Sequence, residues 1–180
     1  MIEFAVALLL WLLIFVPSSI IASLTSRGSP KKAGFVMQLT MFPLSFAVMG
    51  APRRIGKVWI RLEHRIYPPA FILGFGASFV INLLEGSPSV PMEEFMPGGM
   101  ERLLLLLLLA PLGEEALTRA LVEGYLLSYG HFWDAIIFSA MLFALPHWAA
   151  YGKSERKRVV VTAGAFILGS VAGYLFALGA

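Results

Sequence analysis

The 180-residue chain contains no cysteine. Disulfide frameworks, Cys-ligated zinc and thiol nucleophiles are thereby excluded. Charge is scarce too: Asp, Glu, Lys and Arg make up 14% of the residues, against about 25% in soluble domains. The pI is near 9.4, yet the basic residues fall in short loops and no basic face interleaved with aromatics offers bases a stacking platform. Nucleic acid is therefore not a partner. No internal repeat and no His-Glu-x-x-His occurs, which argues against repeat-built transporters and helical zinc peptidases.

Apolar residues supply what is left. They make up 58% of the chain, and the mean hydropathy is +0.80, so the chain reads as a multipass membrane protein. Apolar segments lie near 4–24, 33–51, 68–84, 101–128, 132–150 and 159–178, each close to the roughly 20 residues that a transmembrane helix needs. In lipid every backbone polar group must be satisfied within the segment, and runs such as Leu103–Leu109 show none of the alternation of a barrel strand. The expected fold is an all-α transmembrane helix bundle of about six spans, a single integral membrane domain over 1–180. The first run begins with Glu3 rather than a basic region and is read as a retained span. The expected location is a membrane, taken as the cell membrane of a prokaryote.

A basic loop carrying Arg53, Arg54, Lys57, Arg61 and Arg65 follows the second segment, and residues 85–101 form an acidic loop rich in Pro and Gly. Loops one, three and five carry Arg27, Lys31, Lys32, Arg102, Lys153, Arg156, Lys157 and Arg158. That excess leans toward placing their face in the cytoplasm.

Inside the fourth apolar segment stand Glu114, Glu115 and Arg119. One unpaired ionised side chain at bilayer depth costs at least about 2.5 to 3.5 kcal/mol, so three together need partners or a purpose. Residues four apart share a helix face while neighbours are about 100° apart. Glu115 and Arg119 therefore pair, and Glu123 continues the stripe. Glu114 points elsewhere without an obvious counter-ion, the setting of a general base or acid acting on water. Segments four and five meet near Gly130 as an antiparallel hairpin. Glu115 lies fifteen residues before that turn and His147 seventeen after it, so both sit roughly 24 Å from it at one membrane level. Phe143, one turn before His147, would wall a pocket there, and Pro146 would free a carbonyl and kink the helix.

Glu-Glu-x-x-x-Arg at 114–119 followed by Phe-x-x-x-His at 143–147 resembles the CPBP intramembrane proteases, also called the ABI family, which include the CAAX prenyl endopeptidases. The surrounding text, LLAPLGEEALTRALVEGYL and AIIFSAMLFALPHW, resembles the two motif helices, and FILGSVAGYLFALG is similar to the glycine-rich helix that follows. The resemblance covers about residues 100–180. It implies an intramembrane endopeptidase in which Glu114 and His147 activate the attacking water while Glu115 and Arg119 shape and hold the site. The substrate would be a membrane-associated peptide or protein reached from the lipid bilayer.

The family usually has Phe before the Arg and Gly after it, where this chain has Thr118 and Ala120. A third family motif, a His with an Asn four residues on, belongs to a further helix. No His-x-x-x-Asn occurs in the sequence, which runs to Ala180 where that helix would begin. Asn82, in the third segment, and His131, at the hairpin turn, are the candidates to substitute for it, and hydrogen bonding between helices is the expectation for them. Metal dependence stays open: zinc or another divalent ion would find an irregular ligand set in Glu114, Glu115 and His147. The alternative reading is a non-catalytic relative, an immunity, adaptor or assembly factor that holds a peptide or partner helix in the same groove. Gly169 and Gly173, spaced as Gly-x-x-x-Gly, are expected to permit close helix packing.

Overall fold

The structure, a computed structural model, describes residues 1–50, 99–150 and 155–179. The expected third segment, Asn82 and the basic loop at 53–65 lie outside the described residues. Within them the chain is helical and contains no strand. Five helical rods account for it. These are α1 (Ile2–Thr25), α2 (Pro30–Gly50), α3 (99–127), α4 (Phe132–Ala150) and α5 (Glu155–Gly179).

Three stretches among the described residues are long and apolar enough to cross a membrane: Ile2–Thr25, Phe132–Ala149 and Arg158–Gly179. The protein is therefore a membrane protein, with three candidate spans where the sequence led to an expectation of about six. On α1 the buried positions are Ala7, Trp11, Ile14, Ser18 and Ala22, at steps of three and four. That spacing puts them on one face. Leu9, Leu13 and Leu24 on the remaining surface are each more than half exposed. A helix whose outer face is as apolar as its inner one suits lipid on the outside.

The connections follow from local chemistry. Between α1 and α2 the chain reverses through Ser26–Ser29, with Arg27 and Gly28 at positive φ of 48° and 80°. Between α3 and α4, Gly130 has φ 82°, its N–H reaches Leu127 O at 2.9 Å, and the next N–H, of His131, reaches Leu126 O at 3.3 Å. This pair of bonds is a Schellman closure, and glycine is the residue that adopts its left-handed position without a Cβ penalty. His131 lies against Phe4, ring centroids 5.1 Å apart, so the start of α1 packs beside the α3–α4 turn. The end of α1 consequently sits at the opposite level of the bundle.

α3 is wound unevenly. Its stretches Gly99–Leu104, Ala110–Glu115 and Gly124–Leu127 are α-helical, whereas Leu105–Leu109 and Ala116–Glu123 are π-helical. Two local causes are visible. Pro111 has no N–H to give the helix ladder, and the residue before it, Ala110, bonds five back to Leu105 O. Thr118 Oγ1 donates to Glu114 O at 2.6 Å. A hydroxyl bonded to the carbonyl four residues back competes with the helical amide for that acceptor. The wider winding ends where Gly124 N–H reaches Arg119 O.

The glycines of α5 admit close packing, as their spacing suggested. A Cβ at Gly169 would stand 3.2 Å from Ala140 Cα and from Phe143 Cδ1, so α4 and α5 meet nearly backbone to backbone. The turn at Gly130 has open space around it but a left-handed φ. Gly130→Ala is accordingly expected to lower stability by about 1 kcal/mol through backbone strain alone. Gly130→Asn should lose less, with thermal denaturation in detergent as the measurement.

Candidate active site

The charged residues of α3 are divided between two sides of the helix. Glu114 and His147 line one cavity of about 800 Å³, whose other walls come from α1 and α2 and include Trp11, Phe15, Met37 and Gln38. The cavity extends to Ser26, Gly28 and Ser29 of the α1–α2 turn, the face on which loops one, three and five were grouped. Glu114 and His147, placed at one level by the count from the hairpin turn, both line this cavity. His131 lies at the other end, beside Phe4, and takes no part.

Within the cavity wall Glu114 has a partner that the spacing of charged residues does not reveal. Gln38 of α2 donates through Nε2 to Glu114 Oε1 at 3.0 Å. His147 Nδ1 lies 2.9 Å from Phe143 O. A carbonyl only accepts, so Nδ1 of the neutral ring carries the hydrogen and Nε2 keeps the lone pair. Phe143 itself lines the cavity, its ring centroid 5.0 Å from that of His147.

Glu115, Arg119 and Glu123 occupy the other side. Arg119 is 1% exposed and Glu123 fully buried. Arg119 Nε is 3.6 Å from Glu115 Oε2, and Nη1 is 3.9 Å from Glu123 Oε2. These are ion pairs beyond hydrogen-bond length. Ser139 of α4 closes the gap: its Oγ accepts from Arg119 Nη1 at 3.2 Å and donates to Glu123 Oε2 at 2.6 Å. Phe143 adds its ring face, 5.2 Å from the guanidinium carbon, within reach of a cation–π attraction. A Cβ at Gly173 would come within 2.7 Å of Glu123 Oε2, so α5 closes over the carboxylate only because that residue is glycine. Phe143 therefore touches both sides, facing Arg119 with one part of the ring and His147 with another.

Gln38 and Ser139 escaped the sequence reading. Each is a polar residue inside an otherwise apolar helix, which was the available signal, but neither belongs to a charged motif. A metal was left open. Among the described residues no group of three or more His, Cys, Asp or Glu side chains is placed to hold an ion.

Residues 98–179 match the family model described as Type II CAAX prenyl endopeptidase Rce1-like. That stretch holds α3, α4 and α5, with all four expected site residues, and agrees with the resemblance to the CPBP family. α1 and α2, with Gln38, precede it. No curated protein and no solved structure matches the chain.

Removing one partner of a buried ion pair leaves the other uncompensated, at a cost of about 3 to 5 kcal/mol. Arg119→Met alone should therefore destabilise the protein by roughly that amount, and Arg119→Met with Glu123→Gln should recover most of it. Thermal melts of the three proteins in one detergent measure the difference.

Proposed function

We propose that the chain is an intramembrane endopeptidase of the CAAX-protease type, hydrolysing a peptide bond of a membrane-associated substrate with water activated by Glu114 and His147. The observation that carries this reading is that two residues from different helices, 33 positions apart in the sequence, line one cavity inside a bundle whose motif half matches a prenyl endopeptidase family. The six apolar segments are taken as six spans forming one integral domain over 1–180, in the cell membrane of a prokaryote.

The chemistry runs on groups already described. Glu114 Oε1 is engaged by Gln38, which leaves Oε2 to accept a proton from a water held between the two side chains. His147 Nε2 accepts that water's other hydrogen and orients its lone pair toward the scissile carbonyl. The oxygen adds to the carbonyl carbon, giving a tetrahedral intermediate. On collapse the C–N bond breaks, and the proton taken by Glu114 passes to the leaving amine. Glu115 and Arg119 act at one remove, holding α3 in the winding that turns Glu114 into the cavity. No step is routed through a metal.

Aromatic placement supports a site close to the membrane surface. Trp133 is exposed and stacks on Tyr174, ring centroids 5.8 Å apart, at the end near Gly130. Trp148, also exposed, adjoins His147. Tryptophan and tyrosine favour membrane–water boundaries, and Trp133 and Trp148, fifteen positions apart, are separated by about 22 Å of helix. His147 then lies near headgroup level, where water reaches it.

The test is cleavage of a library of membrane-tethered peptides by purified protein in liposomes, with circular dichroism as the folding control. A positioned general base or its partner contributes about 10² to 10⁴ in rate. Glu114→Gln and His147→Ala should each lose at least about 10²-fold in kcat while remaining helical. Turnover that survives Glu114→Gln would remove the reading.

A further inference from the structure

Gln38 belongs to α2, outside the stretch that matches the family model, and nothing in the motif half of the chain requires it. It lines the cavity and is bonded to the residue proposed as the base. In the structure the amide nitrogen, not the amide oxygen, faces Glu114, the orientation that suits an ionised carboxylate, which only accepts. Gln38 Oε1 lies against Gly113 and has no hydrogen-bond partner among the described protein groups.

The fit on α3 is specific. Gly113, directly before Glu114, is buried against Gln38. A Cβ there would overlap Gln38 Oε1 and stand 3.2 Å from the Gln38 carbonyl oxygen. The missing side chain at 113 is what allows the amide to lie flat against α3 with its nitrogen aimed at the next residue.

We propose that Gln38 is a positioning residue for Glu114: its carboxamide, seated in the notch at Gly113, holds one carboxylate oxygen so that the other is presented to the attacking water. The assignment rests on the peptidase reading above. It makes the α1–α2 hairpin part of the catalytic apparatus rather than only a wall of the cavity. It also gives Gly113 a defined task.

Steady-state kinetics on a fluorogenic membrane-tethered peptide, chosen from those the wild type cleaves, tests it. Gln38→Met keeps the side-chain length and removes the donor; it should lower kcat roughly 10- to 100-fold, the scale of a base displaced by about 1 Å, with KM within about twofold of wild type. Gln38→Ala should fall no further, since packing is not what the residue supplies. Gly113→Ala, which displaces the amide from the other helix, should reproduce the kcat loss, and combined with Gln38→Met it should add less than about twofold because both act through one hydrogen bond. Glu114→Gln is run alongside. If cleavage depends on Glu114 but Gln38→Met leaves kcat at the wild-type value, or lowers it only as far as its thermal stability falls, Gln38 is structural and the peptidase reading stands. If cleavage is absent or indifferent to Glu114, both are overturned.

Discussion

A guanidinium that cannot reach water governs the arrangement of this bundle. Arg119 lies in the stretch Ala116–Glu123, every residue of which is buried, and a charge so placed is tolerable only if its partners converge on it. Glu115 and Glu123 come from its own helix, but the gap at Glu123 is bridged by a hydroxyl from α4, and α5 contributes the space vacated at Gly173. One cation thus sets how three helices lie against each other. Phe143, held over the guanidinium, is placed by the same requirement.

The geometry of the proposed site is a consequence of that anchoring. Consecutive glutamates on a helix point in different directions, so fastening Glu115 toward Arg119 turns Glu114 the other way, into the space between α3, α4 and the α1–α2 hairpin. His147 is brought to the same space by Phe143, one turn away and in contact with the anchor. The π-helical winding from Ala116 to Glu123 lies where the two tasks of α3 meet. π segments of this kind recur at functional sites. Here the Thr118 hydroxyl accounts for it locally, by occupying the carbonyl of Glu114 itself. A departure from the usual family residue before the Arg is thereby tied to the backbone of the residue proposed as base.

The two halves of the described chain contribute differently. Residues 98–179 carry the charges, the imidazole and the family match; the α1–α2 hairpin supplies apolar walls and one amide. A carboxylate facing an apolar cavity gains from a donor within reach, and Gln38 donates to Glu114. The exposed leucines of α1 suit a surrounding of lipid, and on the proposed reading a substrate must itself come to the membrane.

Much was legible from the residues in order. Composition determined the helical membrane class, because lipid permits few other ways to satisfy a backbone and none of the segments alternates as a barrel strand does. Spacing of four determined that Glu115, Arg119 and Glu123 would share a face, and counting from Gly130 determined that Glu114 and His147 would share a level; both are properties of a single helix or hairpin. Gly-x-x-x-Gly announced the close approach of α5. What the order of residues did not contain was the identity of neighbours across helices: that Gln38 meets Glu114, that Ser139 joins Arg119 to Glu123, and that His131 lies against Phe4. Those contacts arise from how separate helices are rotated against one another, and rotation is decided by the packing of all of them at once. The π winding was hidden for a related reason, since it depends on competition for particular carbonyls and leaves the apolar periodicity almost unchanged.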